Sequence, residues 1–498
     1  MRTKKTFYNF VCEVVPLIII SLLGIFKLKI FIQSLGTEVL GLYQLFSQIM
    51  VYVALVDGGL TSAVLYALYK PNVEGDDKKI SQILSGAKKI FSLIGALMFG
   101  IAAIVAYIVP FFIKDFTFDY MYIVVAFTLF SLSNIVSYFF VPYTTLYEVK
   151  EKKYVVSLAT QSGQILQNIL EIILLLCGFS FISILIMHSL IKLASNLVIY
   201  FKYKKEYPEY SVNEKEKDTK FSKQIKHLMV HKINGLICYN IDVLIISKLM
   251  GLTSVAIYST YNYIINMLRQ ILDKISGSMI AIIGNSLTEN VKETKKIFNE
   301  LNSMMYFIAI SICVPLTFAL NSFIDIWYEG EIYTNFFIAI SFSLYLFGFI
   351  IKTPITTYVT AAGLFKETKK CALTDTVVNL VLSLILVYKF GIPGVVIATA
   401  TSVLIAEYIM KNVIIHKHIF KEKVLPFYIN NIKFIIIFII DLLLAYIALK
   451  YIPFTNIFIW FAVYIVFFIL NTTIIYIIFK LLKENKFIYR YKYIFKRS

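Results

Sequence analysis

Long apolar segments, separated by short polar gaps, cover almost the whole of this 498-residue chain. Each segment has about 20 residues or more, which is the length that an α-helix needs to cross a ~30 Å hydrocarbon core. We mark fourteen segments near residues 8–34, 40–69, 90–113, 119–146, 155–176, 179–200, 227–247, 254–284, 298–320, 333–359, 371–388, 394–411, 428–449 and 454–479. The pattern predicts an all-α integral membrane protein with fourteen transmembrane helices.

The basic residues are distributed unevenly between the gaps. Of the 48 Lys and Arg residues, 35 lie at the two ends of the chain and in the gaps that share their side of the membrane. The opposite gaps hold only Lys114, Lys248, Lys389 and Lys450, and nine more basic residues lie inside the apolar segments. Because Lys-rich and Arg-rich loops stay in the cytoplasm, the count predicts that both termini are cytoplasmic. An even number of spans agrees with that orientation.

Composition supports the membrane interpretation. The mean hydropathy is +0.77 and 59% of the residues are hydrophobic, against roughly 45–50% in soluble domains. The net charge of +18 would suggest nucleic acid in a soluble protein. Here the excess lies on one predicted membrane face, beside anionic lipid headgroups, so we expect membrane lipids and no nucleic acid as partners. The five cysteines show no metal or redox spacing, and we predict no cofactor and no metal.

Two parts of the chain repeat each other at a spacing near 215 residues. Gly36 precedes Tyr43 by seven residues, as Gly251 precedes Tyr258, and a P-x-T-T sequence occurs at Pro142 and again at Pro354. Parallel repeats are a common plan of transporters, with the substrate at their interface. Chance similarity between apolar helices is the alternative.

The repeat predicts the domain organisation. We expect an N-terminal six-helix lobe over residues 1–201, a charged cytoplasmic linker over 202–226 and a C-terminal six-helix lobe over 227–420. Residues 421–498 then hold two extra helices and a basic cytoplasmic tail.

The motifs around these positions resemble a known family. The sequences Gly41-Leu42-Tyr43 and Asp57-Gly58-Gly59-Leu60, with Asp242 and the stretch 251–258 in the second repeat, are similar to the polysaccharide transporter branch of the multidrug/oligosaccharidyl-lipid/polysaccharide exporter superfamily. This branch contains bacterial O-antigen and capsule flippases. The resemblance implies two six-helix lobes around a hydrophilic, often cationic cavity. It implies a polyprenyl-pyrophosphate-linked oligosaccharide as substrate, the bacterial cytoplasmic membrane as location, and polysaccharide assembly machinery as a possible partner.

Ionisable residues inside the apolar segments are functional candidates, because charge at bilayer depth is costly. Arg269, Lys27 and Lys192 are the candidates for a cationic cavity that binds pyrophosphate, since a guanidinium can pair with two phosphate oxygens. Arg269 could instead neutralise Asp273, four residues on, as a structural pair. Lys27 could instead extend its ammonium to the membrane surface.

Further polar residues follow the spacing of one helix face, three or four residues apart. Amides could line a wet cavity and bond to sugar hydroxyls, or they could bond to neighbouring helices. The candidate lining residues are Asn262, Asn266, Gln164, Gln167 and Asn379. The acidic candidates for ion coupling or for a structural role are Asp57, Asp242, Asp273 and Glu171.

The function that the sequence favours is lipid-linked oligosaccharide flipping by alternating access, for surface polysaccharide biosynthesis, and not an enzymatic activity. The alternatives are a lipid II-type or drug exporter of the same superfamily, and an integral-membrane glycan polymerase. Lipid II flippases share the fourteen-helix plan but typically line the cavity with arginine, whereas drug exporters usually have twelve helices.

Overall fold

A computed structural model describes residues 2–57, 60–114, 117–212, 214, 218–219, 241–287, 291–449 and 456–485. Within these ranges every regular element is a helix, and ten helices are long and apolar enough to cross a membrane. The prediction of an all-helical membrane protein is therefore confirmed. The count of fourteen spans and the orientation of the termini stay predictions. Outside the described residues lie 227–240 of the seventh span, 486–498 of the tail, and 213, 215–217 and 220–226 of the linker.

The chain forms two compact units, Met1–Ala256 and Ile257–Ser498. The helices of the first unit are α1 (Arg2–Val53), α2 (Leu60–Glu74), α3 (Asp77–Ile108), α4 (Tyr120–Ile135), α5 (Val141–Val149), α6 (Lys153–Leu176), α7 (Phe181–Glu206) and α8 (Asp242–Met250). Short 3₁₀ segments, Ala54–Asp57, Val109–Phe112 and Val136–Phe140, follow α1, α3 and α4.

The helices of the second unit follow from α9 (Leu252–Ser286), whose first residues belong to the first unit. They are α10 (Val291–Trp327), α11 (Phe336–Ile351), α12 (Thr353–Ala361), α13 (Lys369–Phe390), α14 (Ile392–Ser402), α15 (Lys411–Ile415), α16 (Leu425–Leu449) and α17 (Ile457–Leu481). Two π-helical segments, Val403–Met410 and His416–Phe420, flank α15, so that residues 392–420 form one continuous span.

The two sequence repeats share the same helix breaks. Gly36 interrupts α1 with φ +85° and ψ 169°, and Gly251 separates α8 from α9 with φ +91° and ψ 175°. This backbone region is essentially restricted to glycine. The second break is at proline, because Pro142 and Pro354 each lie at the start of a short helix, α5 and α12. A proline is tolerated there, since the first helical N–H has no intrahelical partner.

Helix α8, which begins the second repeat, packs in the first unit. The Lys248 ammonium donates to the Phe111 carbonyl at 2.6 Å, and the Ser247 hydroxyl donates to the Phe112 carbonyl at 2.8 Å. The first unit thus extends past the predicted linker, and the lobe boundaries drawn from the repeat stay a prediction.

The C-terminal pair α16 and α17 packs against α10. The Trp460 indole donates to Ser322 Oγ at 2.9 Å, and the Tyr464 hydroxyl donates to the Phe318 carbonyl at 2.7 Å. Both helices also expose large apolar side chains, including Ile436 and Leu443 on α16 and Ile465 and Leu470 on α17. Apolar exposure of this kind fits lipid contact.

Candidate functional site

Three helices of the first unit bring charged side chains together in its interior. The Lys27 ammonium on α1 lies 3.3 Å from Glu171 Oε2 on α6, and His188 Nε2 on α7 lies 2.8 Å from the same oxygen. Glu171 is only 1% exposed and His188 is 3% exposed. The carboxylate therefore compensates Lys27 in a place where an uncompensated charge would cost several kcal/mol. Lys27 is an interior residue of the unit and is paired with an acid.

The face of α7 that carries His188 also carries Lys192 and Ser195. A Cβ atom on Gly163 of α6 would lie 2.1 Å from Ser195 Oγ, so the two helices pack closely there. Gly163, Gln167 and Glu171 follow one another at four-residue spacing on α6, and residues at this spacing share a helix face. Gln167 is therefore on the α6 face that packs toward α7, and it is half-buried, whereas Gln164 is exposed.

Lys192 is the cation of this cluster that no carboxylate neutralises. The side chain is half-buried, and within the part of the chain that the structure describes no acidic group lies within ion-pair distance of its ammonium. Lys192 follows the first residue of α7, Phe181, by eleven positions, which places it ~16 Å along the helix. The cluster of Lys27, Glu171, His188 and Lys192 thus holds two lysines against one carboxylate.

In the second unit, Arg269 of α9 is held by aromatic side chains. Its Nη1 donates to the Tyr345 hydroxyl at 2.5 Å and to Asn266 Oδ1 at 3.2 Å, and its guanidinium carbon lies 4.4 Å from the centroid of the Phe349 ring. A cation over an aromatic face is stabilised by about 0.5–2 kcal/mol. These contacts fix the guanidinium plane without removing its charge.

Arg269 and Asp273 do not form the ion pair that the sequence left open. Asp273 is exposed, and among the described residues it makes no ion pair. The role of Arg269 stays a prediction. Asn262 and Asn266 are both half-buried on the same helix, and Asn266 serves Arg269 as an acceptor.

A second group of cations in this unit was missed by the sequence reasoning. The Lys352 ammonium lies 5.1 Å from the centroid of the same Phe349 ring and 3.7 Å from Glu407 Oε2, and the Lys411 ammonium lies 2.6 Å from that oxygen. Lys352 and Glu407 are each 6% exposed. The four-residue spacing of Glu407 and Lys411 is the sequence signal that could have indicated their ion pair. Lys352 lies 55 residues before Glu407, so its contact with Glu407 has no local sequence signal.

The second cluster, defined as Arg269, Lys352, Glu407 and Lys411, therefore carries two positive charges in excess. Asp375 of α13 lies close enough to interact electrostatically with both lysines. With Asp375, the group holds three basic and two acidic side chains. Each unit thus holds a cluster in which basic side chains outnumber acidic ones.

The remaining candidates lie in helix contacts. Asn379 is 1% exposed, and its Nδ2 donates to Thr399 Oγ1 at 2.9 Å across the α13–α14 contact. This placement favours the structural alternative for Asn379. Asp57 is 7% exposed in the 3₁₀ segment after α1, and Asp242 is 5% exposed in the first turn of α8. Their assignment to coupling or structure stays a prediction, and the neighbouring residues 58–59 lie outside the described residues.

Comparison with solved structures shows the fold. A lipid II flippase, MurJ, in an inward closed conformation matches with a TM-score of 0.71 at 17% identity, covering 96% of this chain and 99% of that chain. An inward-facing multidrug resistance MATE family transporter of the MOP superfamily matches with a TM-score of 0.67 at 13% identity, covering 80% of this chain and 96% of that one. For a MATE transporter from Vibrio cholerae the TM-score is 0.54 at 12% identity, covering 82% of this chain and 95% of that one.

Sequence comparison shows the family. No curated protein matches the chain. A family model described as a polysaccharide biosynthesis protein matches residues 86–337, just over half of the chain. Together with the helical fold, this match confirms the resemblance seen in the motifs. The protein is a multi-pass membrane protein that belongs to the polysaccharide biosynthesis protein family, and its fold is similar to that of MurJ and the MATE transporters.

Proposed function

We propose that this protein is a flippase that moves a polyprenyl-pyrophosphate-linked oligosaccharide from the inner to the outer leaflet of the bacterial cytoplasmic membrane. The product would serve surface polysaccharide biosynthesis, with assembly enzymes as the partners that consume it. The family match supports a role in polysaccharide biosynthesis. The fold, shared with flippases and exporters, supports transport over catalysis.

The observation that carries the proposal is the unneutralised charge of Lys192. A lysine in the middle of a membrane helix costs about 2.5–3.5 kcal/mol on insertion scales. From position 192 a lysine side chain cannot reach either end of α7, which lie ~16 Å and ~21 Å away along the helix. Within the described residues the ammonium has no carboxylate partner. An anionic ligand would compensate this charge, and a pyrophosphate would do so with two negative groups.

The cluster around Phe349 supports the same ligand class in the second unit. Arg269 presents a guanidinium that aromatic contacts hold in place. A planar guanidinium that is held in place can donate to two phosphate oxygens at once, which a mobile ammonium does less well. Half-buried amides, Gln167 in the first unit and Asn262 in the second, offer donors and acceptors for sugar hydroxyls.

Alternating exposure of these cationic clusters to the two sides of the membrane would carry the headgroup across, while the prenyl chain stays in lipid. Outward movement of a negative group is favoured by an inside-negative membrane potential, which acts on each charge with about 2.3 kcal/mol per 100 mV. The potential can therefore supply the driving force without a bound ion. If the protein instead exchanged an ion for its substrate, dissipating the ion gradient would stop transport, whereas dissipating the membrane potential would not.

Deletion of the gene tests the proposal. We expect lipid-linked repeat units to accumulate on the cytoplasmic side and surface glycan to disappear. Complementation with the Lys192→Ala variant should restore less than a tenth of the export at unchanged membrane abundance, since a charge-assisted phosphate contact contributes about 1.5–3 kcal/mol.

The matched control is Lys202→Ala on the same helix, because Lys202 is exposed and pairs only loosely with Glu206 at 3.8 Å. This variant should complement fully. Intact glycan export after deletion, together with raised drug sensitivity, would instead identify a drug exporter. Accumulation of single, unpolymerised glycan repeat units outside the cell would identify a polymerase.

A further inference from the structure

A polar cleft opens in the second unit at one end of α10, where it meets α16 and the end of α17. Its volume is about 400 Å³, and its lining combines lysines with amide and hydroxyl side chains. It contains none of the residues of the two cationic clusters described above. The gaps that border it, before α10, before α16 and after α17, are all on the predicted cytoplasmic side.

The floor of the cleft is a chain of buried hydrogen bonds. Asn302 Nδ2 donates to Asn431 Oδ1 at 3.0 Å, Asn431 Nδ2 donates to the Tyr408 hydroxyl at 3.1 Å, and this hydroxyl lies 2.8 Å from that of Tyr306. Asn302 is 3% exposed and Asn431 is 2% exposed. The chain fixes the Asn302 amide with its nitrogen turned toward Asn431.

This orientation leaves an acceptor unused. Asn302 Oδ1 has no hydrogen-bond partner among the residues that the structure describes. A buried acceptor without a partner costs about 1–3 kcal/mol. A hydroxyl group of a ligand in the cleft would satisfy it, whereas a phosphate oxygen, which is itself an acceptor, would not.

The rim of the cleft is cationic. Lys292, Lys295, Lys296 and Lys483 line it, and so does Glu300. Lys295 forms an ion pair of 2.6 Å with Glu422, and Lys296 lies 3.8 Å from Glu293. Lys483 follows the end of α17 in a left-handed conformation, with φ +60°. It is exposed, and it forms no ion pair within the described ranges. The rim therefore attracts an anion.

One acid on the wall, Glu484, is already neutralised. Glu484 accepts from the Ser303 hydroxyl at 2.7 Å and forms an ion pair with Lys433. It ties the end of α17 to α10 and α16, and within the described residues it does not pair with Lys483. The cleft thus combines an unneutralised lysine on its rim, a neutral amide floor and one unused acceptor.

We propose that this cleft binds a phosphate ester that also carries hydroxyl groups, with the phosphate at the lysine rim and a hydroxyl on Asn302 Oδ1. Two sources supply this chemistry at a cytoplasmic membrane surface. One is the headgroup of a glycerol-bearing anionic lipid, and the other is a soluble glycerol or sugar phosphate. The site is separate from the proposed transport site, and its occupancy would hold α16 and α17 against α10.

Binding to the purified full chain tests the proposal. In detergent, titration calorimetry with glycerol 1-phosphate examines the soluble source. The lipid source is examined in nanodiscs of phosphatidylcholine, by measuring how much the melting temperature of the protein shifts when phosphatidylglycerol is added. Phosphatidic acid, whose headgroup lacks the glycerol hydroxyls, is the control lipid. A response to glycerol 1-phosphate or a larger shift with phosphatidylglycerol than with phosphatidic acid supports the site and identifies the source.

Variants locate the site. Lys296→Ala combined with Lys483→Ala, both exposed on the rim, should weaken binding about tenfold. Asn302→Leu should remove the preference for phosphatidylglycerol over phosphatidic acid. Inorganic phosphate should bind to this variant with the same affinity as to the wild type. Lys480→Ala, on α17 but outside the lining, is the control and should change nothing.

Two outcomes would overturn the proposal. One is the absence of a response to both glycerol 1-phosphate and phosphatidylglycerol. The other is an equal loss of binding in the Lys480→Ala control and the rim double variant, which would indicate general surface charge. Neither outcome bears on flipping, because the transport assay measures residues outside this cleft.

Discussion

At the scale of single residues, Lys27 and Lys192 of the first unit differ in whether an acidic side chain compensates their charge. Lys27 is compensated by Glu171, which also binds His188, whereas Lys192 on the next turn of α7 from His188 is not compensated within the described residues. Buried ion pairs add little net stability, but removing one partner leaves a charge that costs about 3–5 kcal/mol. The two lysines should therefore respond differently to mutation.

A double-mutant cycle on Lys27 and Glu171 tests this difference through stability. We expect Glu171→Gln to lower the melting temperature strongly, because the Lys27 ammonium then lacks its carboxylate. Lys27→Met in the same background should recover most of the loss, since both charges are gone. Thermal unfolding in detergent measures the four proteins. Additive effects of the two substitutions would contradict the pairing.

Lys192→Met should not lower the melting temperature, in contrast to Glu171→Gln. Removing an uncompensated buried ammonium should leave the melting temperature unchanged or raise it, while flipping is lost. The measurement is thermal unfolding together with glycan export for the same variant. A large loss of stability would mean that Lys192 has a structural role.

At the scale of helices, the glycines that mark the repeat lie at helix breaks. Gly36 and Gly251 were located from the repeat, and both adopt the glycine-only backbone. A break is local, so one residue type can signal it. The π-helical turns around α15 and the contact between Lys352 and Glu407 were not predicted. Neither is a property of a short window: the first depends on a five-residue hydrogen-bond step, and the second joins distant segments.

Alanine at either glycine break should destabilise the protein by about 1–3 kcal/mol, because φ near +90° with ψ near 170° is strained for any residue with a Cβ. The control is Gly100→Ala inside α3, where a Cβ would meet no atom within 4 Å. There alanine should be neutral or stabilise by up to ~1 kcal/mol. Thermal unfolding compares the three variants, and equal behaviour of Gly36→Ala and Gly100→Ala would contradict the assigned break.

At the scale of the whole molecule, the sequence predicted the all-helical membrane class from the length and composition of its apolar segments. This property is summed over many residues and tolerates local errors. The division into two lobes and the site residues stay predictions: the two clusters contain Arg269, Lys27 and Lys192, which the sequence proposed, and also Lys352 and Lys411, which it did not. The orientation of the chain remains a prediction from the distribution of lysine and arginine.

The native cysteines provide a test of that orientation. Cys177 is exposed in the turn after α6, which is predicted to be external, whereas Cys313 and Cys371 are buried. A maleimide that does not cross membranes should therefore label intact cells at Cys177, and Cys177→Ser should lose that label. Labelling that requires permeabilised cells would reverse the predicted topology.

The central claim is that this chain flips a lipid-linked oligosaccharide by means of its unneutralised Lys192. The most direct test is reconstitution of the purified protein into liposomes with polyprenyl-pyrophosphate-linked oligosaccharide, followed by enzymatic modification of the glycan from outside. The account predicts that wild-type protein makes the inner-leaflet glycan accessible and that Lys192→Ala slows this at least tenfold while Lys202→Ala does not. Accessibility that is the same with and without the protein, or the same for wild type and Lys192→Ala, would contradict it.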